Sequence, residues 1–425
     1  TGEWTVTGPG TIDNWGAGKT RFDYHASPTV TLYGDYTFTW TITNGVAPDG
    51  CSSNSSVDVH FAEAADAGDE QYICATTTAN LNANNPSTGR GVWSYSGPGI
   101  VQSWGGGTDS TDFNASPVVS AYGDYTFTWT IINGSTADSC YTTDDVDIHF
   151  SEDAEAGPEQ FVCGTTTVTL AGNEPSTGTG TWTFTGPGGI VNWGAGKTAN
   201  DYDASPTMDQ YGDYTFTWTI QNGPVADGCS RSDVVDVHFA ESANAGPEQY
   251  VCGTDNFDLA GNEPSTGSGV WSYTGPGIVQ NWGAGRDSTD HNASPTVSAY
   301  GDYTFTWTII NGNGTDSCYT QSDVDIHLSE QANAGADQYI CEVLSVNLDA
   351  NTPTVGSGAW SVSSTDGSVL SWGLGQAVAD ITVSVSAPGR YTFRWTITNG
   401  TCSSFDEVVV DFQPSADAGD DQHVG

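Results

Sequence analysis

Tryptophan recurs along this chain at a constant interval, and that interval limits the fold more than any other feature. All fifteen tryptophans fall into three series whose members are spaced by 89 residues to within one. The series are Trp4, Trp93, Trp182, Trp271 and Trp360; Trp15, Trp104, Trp193, Trp282 and Trp372; and Trp40, Trp129, Trp218, Trp307 and Trp395. A period of this length exceeds a solenoid turn and fits a small, free-standing β-domain. The sequence therefore predicts five copies of one unit.

The segment around the third tryptophan of each unit has the pattern of a β-strand. From Gly123 to Ile131, apolar residues occupy every second position and threonines lie between them. That period of two gives a strand one apolar face and one hydroxyl face. Copies of this strand occur at residues 34–42, 212–220, 301–309 and, more loosely, 389–397. We call it the organising strand.

Six further short strands surround the organising strand in a complete unit, and no amphipathic helix is indicated. In the second unit the first of them is predicted to end at Ile73–Cys74. The other five are predicted at residues 77–81, 91–95, 100–104, 117–122 and 146–150, and a loop is predicted at residues 133–143. Seven short strands separated by turn residues favour a sandwich. Gly123, Tyr125 and Phe127 also match the tyrosine corner of immunoglobulin-like domains, for which a plain core tyrosine is the alternative.

The fold class predicted is thus an all-β tandem array of immunoglobulin-like β-sandwich domains of about 89 residues. The predicted domains are an incomplete repeat 1 at residues 1–63, repeats 2 to 5 at 64–152, 153–241, 242–330 and 331–414, and a spare first strand at 415–425.

The two ends of the sequence complement each other. Thr1 enters the unit at the phase of Arg90, so repeat 1 lacks its first two strands, whereas residues 416–425 copy the pattern of residues 65–74. One explanation is that the sequence was cut from a longer array. The other is strand addition, in which this segment of one copy completes repeat 1 of the next and builds a head-to-tail filament. The segment would act through Ala418, Gly419, Gln422 and Val424, and it would replace half of what is missing.

Nine cysteines recur at two fixed phases, which indicates disulfides in an oxidising compartment. We expect pairing within units, and a rival pairing across the linkers, such as Cys51 with Cys74, stays open. Cys51 is expected to be unpaired or intermolecular, because repeat 1 lacks the first strand. The pairs expected within units are Cys74–Cys140, Cys163–Cys229, Cys252–Cys318 and Cys341–Cys402.

The charge of the chain excludes two classes of partner. Eight Lys and Arg stand against 52 Asp and Glu, a net charge of −44. Phosphate and anionic lipid both require basic residues, so neither nucleic acid nor an anionic membrane surface is expected as a partner. No apolar run is long enough to insert into a membrane.

The fifth unit carries the fullest set of motifs. They are Ala334, Gly335, Gln338 and Cys341; Leu348, Ala350 and Pro353; Gly358 and Trp360; and the run from Phe393 to Cys402, followed by Asp406 to Val410. This pattern resembles the PKD-like, immunoglobulin-like repeats of secreted Bacteroidota surface proteins, including gliding-motility-associated adhesins. The Trp-Asp-Phe-Gly-Asp-Gly motif of true PKD domains is absent. The resemblance implies an extracellular stalk, adhesin or filament.

Candidate sites for chemistry are weak. An Asp-x-His pattern, as at Asp147 and His149, places two side chains on one strand face, but two ligands are too few for a closed metal site, and a polar outward face on an edge strand is the simpler interpretation. Structural calcium at the linkers is the one cofactor considered, with oxygen ligands from Asp66, Asp69, Asp144 and Asp145. No enzyme is predicted.

The predicted function is a non-enzymatic extracellular stalk, fibre or adhesin shaft, whose partners are neighbouring repeats or further copies of itself. The alternative is a set of glycan-binding accessory repeats of a larger secreted enzyme or adhesin. In that case the tryptophans in Asn-Trp-Gly-Ala-Gly, namely Trp15, Trp193 and Trp282, would stack on sugar rings, whereas core filling is the simpler role for them.

Overall fold

The computed structural model describes residues 1–46, 49–135, 139–313 and 317–419. Every regular element in these ranges is a β-strand. Within them, no helix is long and apolar enough to cross a membrane.

The described residues contain thirty strands in an order that the repeats share, except that repeat 1 lacks the first strand and repeat 5 has one strand more than repeats 2 to 4. Repeat 1 contains β1 (Gly2–Thr7), β2 (Ile12–Asn14), β3 (Thr29–Val30), β4 (Gly34–Asn44) and β5 (Cys51–Phe61). Repeat 2 contains β6 (Gln71–Cys74), β7 (Arg90–Ser96), β8 (Val101–Ser103), β9 (Val118–Val119), β10 (Gly123–Asn133) and β11 (Cys140–Ser151). Repeat 3 contains β12 (Gln160–Cys163), β13 (Thr179–Thr185), β14 (Ile190–Asn192), β15 (Thr207–Met208), β16 (Gly212–Asn222) and β17 (Cys229–Ala240).

The last two repeats continue this order. Repeat 4 contains β18 (Gln249–Cys252), β19 (Ser268–Thr274), β20 (Val279–Asn281), β21 (Thr296–Val297), β22 (Gly301–Asn311) and β23 (Cys318–Ser329). Repeat 5 contains β24 (Gln338–Cys341), β25 (Ser345–Asp349), β26 (Ser357–Thr365), β27 (Val369–Ser371), β28 (Asp380–Val385), β29 (Gly389–Asn399) and β30 (Cys402–Gln413).

Each complete repeat is a sandwich of two sheets. In repeat 2 the larger sheet has the order β6-β11-β10-β7, with β6 parallel to β11 and the other pairs antiparallel. The second layer combines β8 and β9 with residues 77–83, whose backbone N–H groups donate to the carbonyls of residues 113–117. The array is therefore made of tandem immunoglobulin-like β-sandwiches, as the sequence predicts.

The second predicted strand is only partly regular. In repeat 2, residues 77–81 form a single isolated bridge, Thr78 to Val118, besides their backbone hydrogen bonds. In repeat 5 the same segment is a true strand, β25, paired in register with β28. The prediction of a strand at 77–81 was thus wrong for repeat 2, because its partner edge at β9 extends over only two residues.

The face of the organising strand that carries the aromatic residues forms the centre of each core. Tyr125, Phe127 and Trp129 are each at most 1% exposed, and Leu81 of the opposite layer packs into the same cluster. The ring of Trp93, on the neighbouring strand, lies 4.9 Å from that of Trp129. Repeats 2 to 5 each have a separate cluster of this kind. The fifteen tryptophans therefore do not share a single interior.

The tyrosine corner is present in all five repeats. The Tyr125 hydroxyl donates to the carbonyl oxygen of Ala121, four residues earlier, at 3.0 Å. The same bond links Tyr36, Tyr214, Tyr303 and Tyr391 to the residues four positions before them, at 2.7 to 3.0 Å. This bond satisfies a buried hydroxyl and fixes the entry of the organising strand.

The last strand of each unit is longer than predicted. In repeat 2 it begins at Cys140 rather than Val146, and Cys140 pairs with Asn133 at the end of the organising strand. The prediction of a loop through residue 143 was therefore wrong. The first half of this strand is polar because its side chains form hydrogen bonds to the linker instead of packing in the apolar core. It therefore lacks the apolar alternation by which a strand is predicted.

Candidate functional site: the junctions between repeats

Each organising strand from repeat 2 onward ends in an asparagine that reaches back into the preceding repeat. The side-chain amide of Asn222 donates to the carbonyl oxygen of His149 at 2.9 Å. Asn311 and Asn399 make the same bond to His238 and His327, at 2.7 and 3.0 Å. All three asparagines are at most 4% exposed. A buried amide that bonds only across a boundary ties the orientation of one domain to that of its neighbour.

Disulfides cross the same boundaries. They join Cys74 to Cys229, Cys163 to Cys318 and Cys252 to Cys402, with Cα atoms 5.9 to 6.1 Å apart. In each pair, the cysteine that ends the first strand of one repeat bonds the cysteine that begins the last strand of the next. The pairing predicted within units was therefore wrong. The rival pairing had the right class, across repeats, but the wrong partner for Cys74.

Strand length explains why pairing within a repeat fails. Cys74 lies opposite Ser151 at one end of β11, and Cys140 begins β11 at the other end. Twelve residues of extended chain separate these ends by about 36 Å, whereas a disulfide requires Cα atoms within about 7 Å. The far end of one repeat instead meets the near end of the next.

A histidine is held between two carboxylates beside each of these boundaries. His149 Nδ1 lies 2.7 Å from Asp124 and its Nε2 lies 2.8 Å from Glu70. His238 and His327 have the same pair of partners, at 2.6 to 2.9 Å, and Tyr72 stacks on the His149 ring at 4.8 Å. In repeats 2 to 4 the strand that carries the histidine is central in its sheet, so the edge-strand interpretation was wrong there; in repeat 1, His60 lies on the edge strand β5.

The electrostatics of this cluster favour a charged imidazole. Burial acts to lower the pKa of His149, but its hydrogen bonds to the carboxylates of Asp124 and Glu70, and the charges of those groups, outweigh burial and raise that pKa above its ordinary value. His238 and His327 are shifted in the same direction. Burial acts to raise the pKa of Asp124, yet hydrogen bonds from Thr177 and His149 bring it below the ordinary value.

The carboxylate of Asp124 also receives a bond from the next repeat. Thr177 Oγ1 donates to it at 2.6 Å, and Thr266 donates to Asp213 in the same way across the following boundary. A third contact is steric: a Cβ placed on Gly223, at φ 80°, would lie 2.3 Å from the Tyr72 ring. The first-strand aromatic of one repeat thus covers a glycine of the next, and the two backbones approach closely because no side chain intervenes.

The acidic linker is fixed by hydrogen bonds. The backbone N–H of Ala65 donates to Thr142 Oγ1 at 3.0 Å, and the N–H of Ala67 donates to Asp144 at 2.8 Å. Asn84 bonds Ala64 and Asp66 from the other side, at 3.0 and 2.9 Å. Each repeat is therefore joined to the one before it by an ordered segment.

The four calcium candidates are not gathered into one site. Asp144 accepts from the linker, the carboxylate of Asp66 accepts from the N–H of Gly68, and Asp145 lies on the opposite strand face from Asp144. Over residues 1–46, 49–135, 139–313 and 317–419, no three His, Cys, Asp or Glu side chains are placed to hold a metal ion. Structural calcium stays a prediction.

Three tryptophans of the second series, Trp104, Trp193 and Trp282, pack against the cores of their repeats. The rings of Trp104 and Trp282 meet Phe127 and Phe305 edge-on, at 6.2 Å, and Trp193 packs against the cluster of repeat 3. Core filling is therefore the role that the contacts of Trp104, Trp193 and Trp282 support, whereas Trp15 lines an open groove in repeat 1.

Repeat 1 contains an open groove where the other repeats have a filled core. A cavity of about 350 Å³ is lined by Trp4, Trp15, Ala26, Pro28, Phe38, Val57, Val59 and Phe61, and we call it the head groove. The residues 89 positions later belong to the closed core of repeat 2, under Ala67, Ala79, Leu81 and Ala83. Val57 is 49% exposed, against 3% for Val146. In the described residues, β5 pairs only with β4, so its other edge carries no strand.

Three cysteines have no disulfide. Cys51 and Cys341 are exposed, and Cys140 is half-buried with its Sγ 3.1 Å from the carbonyl oxygen of His60. Cys140 and Cys341 were predicted to be bonded within their units, and the strand lengths that exclude such pairing exclude it for them too. Of the predicted C-terminal segment, Ala418 and Gly419 lie outside any strand, and Gln422 and Val424 fall outside the described residues.

Reasoning from sequence missed the asparagine series and the carboxylates that hold the histidines. The recurrence of Asn133, Asn222 and Asn311 directly after an apolar strand was a usable signal. So was the recurrence of Asp124 beside Tyr125, in every repeat but the fifth, where Arg390 replaces it and Asp411 replaces the histidine.

Comparison with known proteins gives no family. No family model and no curated protein matches the chain. Solved structures with tandem domains do align: immunoglobulin domains 1–4 of Sidekick-1, at 11% identity over 81% of this chain and 97% of that one, with a TM-score of 0.25. The insect immune protein hemolin aligns at 12% identity over 83% and 100%, with a TM-score of 0.26, and Drosophila N-cadherin EC1-4 at 12% over 81% and 99%, with 0.21. Scores this low carry no argument about function.

Proposed function

We propose that this chain is a non-enzymatic structural shaft of an extracellular or cell-surface fibre or adhesin. The single observation that carries the proposal is the construction of the junctions. Each of three successive boundaries has a disulfide and a buried asparagine bond. Inter-domain interfaces usually permit relative motion. Boundaries held by a disulfide and a buried hydrogen bond instead restrict that motion, as is expected of a structural element that maintains a fixed length.

The chemistry of the chain supports the compartment. Disulfides form and persist in oxidising surroundings, outside the cytosol. A net charge of −44, without basic patches, suits a solvated surface that avoids aggregation. The resemblance of the motifs to PKD-like repeats of Bacteroidota surface proteins agrees with this placement, and we propose that kinship on the motifs alone.

The head groove supports a proposal about assembly. We infer that it accepts the C-terminal segment 415–425 of a second copy by strand addition. Ala416, Ala418 and Val424 stand at the positions of Ala65, Ala67 and Ile73, which line or pack against the core of repeat 2. The open edge of β5 corresponds to the edge of β11 with which β6 pairs in repeat 2. Main-chain pairing would supply affinity, and the apolar positions would supply the register.

The shaft is tested by length. Negative-stain electron microscopy of the oxidised chain should show straight particles of one length with narrow angles between repeats. A variant with Cys74→Ser, Cys163→Ser and Cys252→Ser should show a wider distribution of bend angles. Cys140→Ser is the matched control, because Cys140 has no disulfide. Equal bend distributions in the triple variant and the control would contradict the proposal.

Strand addition is tested by introducing a new intermolecular disulfide. Gly425 stands at the position of Cys74, whose partner lies in the next repeat, so Gly425→Cys should place a thiol beside Cys140 of the accepting copy. In a Cys51→Ser, Cys341→Ser background, this change should produce a disulfide-linked ladder on a non-reducing gel. Adding Cys140→Ser should abolish it. Oxidised protein that stays monomeric, with both thiols free, would overturn strand addition and leave the shaft untouched.

A further inference from the structure

We propose that the two ends of this chain form a complementary docking surface for a second copy, closed by a disulfide between Cys341 of one copy and Cys51 of the next. This inference rests on the head-to-tail assembly proposed above and names the residues that perform it. We call Asn44, Gly45 and Cys51 the head face, and Tyr339, Cys341 and Asp411 the tail face.

The internal junctions provide the template. At the boundary of repeats 2 and 3, Cys74 bonds Cys229, Asn222 bonds the carbonyl of His149, and Tyr72 covers Gly223. At the boundary of repeats 4 and 5 the three contacts recur as Cys252 with Cys402, Asn399 with His327, and Tyr250 over Gly400. Two boundaries with the same three contacts define a reproducible mode of docking.

The tail face repeats one half of that template. Cys341 ends β24 opposite β30, as Cys252 ends β18 opposite β23, and Asp411 stands in the register position of His327. Tyr339 stands at the position of Tyr250, yet it is 77% exposed, whereas Tyr250 is half-buried against the next repeat. The residue after the cysteine has a positive φ in both places, 75° at Gly253 and 71° at Glu342. The local backbone turns alike.

The head face repeats the other half. Cys51 begins β5 opposite Asn44, as Cys229 begins β17 opposite Asn222. Gly45 has a φ of 90°, close to the 80° of Gly223, so the backbone turns in the same way at the two positions. Asn44 is exposed, while Asn222 is 1% exposed. The three groups that a preceding repeat would cover therefore lie open.

The number of cysteines agrees with a head-to-tail assembly that is closed by a disulfide from Cys341 to Cys51. Six of the nine are used within the chain, and a link from Cys341 to Cys51 uses two more. Cys140 then remains, and the residue that strand addition would bring to it is Gly425. The one cysteine that is left without a partner is thus the one whose partner position holds glycine.

The bond requires an oxidant, for which we name a disulfide-bearing thiol oxidoreductase or a small-molecule disulfide. The Cys341 thiolate attacks a sulfur of that disulfide and releases one thiolate, forming a mixed disulfide. The Cys51 thiolate of the second copy then attacks the Cys341 sulfur and releases the other thiolate. Both cysteines lose their protons, the pair loses two electrons, and the oxidant becomes two thiols.

The test is a thiol count with peptide mapping on the full chain. Oxidation by a glutathione redox buffer should convert monomers into a ladder on non-reducing gels. The titratable thiols of the denatured protein should fall from three per chain toward one. Digestion without reduction should yield one new linked pair, the peptides of Cys51 and Cys341. Cys51→Ser or Cys341→Ser should each abolish the ladder, and Cys140→Ser should leave it intact.

Failure of this inference can be told apart from failure of the assembly. If the Cys51→Ser chain still forms end-to-end filaments in electron micrographs, and oxidised wild-type filaments retain three thiols per chain, the docking disulfide is refuted while strand addition stands. If a ladder forms through Cys140, the assignment of faces is wrong. As a check on the interface itself, Tyr339→Ala and Asn44→Ala should each slow the formation of the ladder at least several-fold, whereas Tyr141→Ala, which changes another exposed tyrosine, should not.

Discussion

Cys74 is bonded to Cys229, 155 residues further along the chain and in the next repeat. The bond lies beside the Asn222 amide and the aromatic ring of Tyr72, so covalent, polar and steric contacts act on one boundary. Domains in a tandem array are often treated as independent beads. Here contacts join the neighbours, so we expect each junction to contribute to the stability of both repeats.

Removal of one junction disulfide should lower the stability of two repeats at once. A loop of this length corresponds to about 5 kcal/mol in the chain-entropy model, and measured losses are typically about 2–5 kcal/mol. Calorimetry of Cys74→Ser with Cys229→Ser should therefore show a shifted transition for repeats 2 and 3, with repeat 5 unchanged. Cys140→Ser is the control, since Cys140 has no disulfide. A loss confined to repeat 2 alone would contradict coupling.

Truncation of a junction asparagine should be costly. Asn222→Ala removes a buried donor and leaves the His149 carbonyl without that bond, which costs about 1–3 kcal/mol. Chemical denaturation of the full chain should report the loss in its first transition. Asn44→Ala changes the equivalent but exposed residue, and in monomeric protein it should alter stability by less than about 0.5 kcal/mol. Similar losses in the two variants would show that the contact across the boundary is not the cause.

Stability should depend on pH in a bounded window. The raised pKa values of His149, His238 and His327 mean that their contribution is complete below 6.5 and is lost as the pH rises through the raised values. The lowered pKa values of Asp124, Asp213 and Glu70 mean that theirs is complete above 3.8 to 4.5 and is lost as the pH falls through the lowered values. The melting temperature should be highest between about pH 4.5 and 6.5.

A control separates the histidines from the net charge. Self-repulsion of the acidic chain also weakens on acidification, so the profile should be measured in molar salt, which screens it to about 3 Å. Changing the three histidines to glutamine should flatten the neutral-to-alkaline limb, whereas His25→Gln, at an exposed position, should not. An unchanged slope in the triple variant would exclude the clusters as its source.

The head groove should bind a peptide that copies the segment filling repeat 2. A synthetic peptide of residues 63–89 carries Ala67, Ala79, Leu81 and Ala83. It should displace an apolar dye from the groove, and the fluorescence of the dye should therefore fall. Replacing Leu81 by Asp in the peptide should weaken binding at least tenfold, because a charge would enter an apolar cavity. Equal binding of the two peptides would mean that the groove does not select a core-filling strand.

Much of the fold could be predicted because it is local. The alternation around Trp129, the tyrosine corner at Tyr125 and the constant phase of the repeats all follow from neighbours in sequence. Strand limits were less predictable, since the polar start of β11 at Cys140 is stabilised by a linker more than seventy residues away.

The junctions could not be predicted in the same way. Cysteine spacing gave two phases per repeat, but only the length of β11 shows that Cys74 and Cys140 lie at opposite ends. The role of His149 depends on Glu70 and Asp124, which come from different segments of one sheet. The disulfide partners follow from the stacking of domains, and the partners of His149 follow from the pairing of strands within one repeat, so both depend on tertiary structure rather than on the spacing of residues along the chain.

The overlapping disulfides have a mechanical consequence. The loops closed by Cys74 with Cys229, Cys163 with Cys318, and Cys252 with Cys402 share residues with their neighbours. When the ends are pulled apart, tension passes along the shortest covalent route and bypasses residues 75–228 and 253–401. Across repeats 2 to 5, forced extension would then yield only a small gain in contour length before the bonds themselves are stretched, so this part of the chain would behave as a nearly inextensible tether.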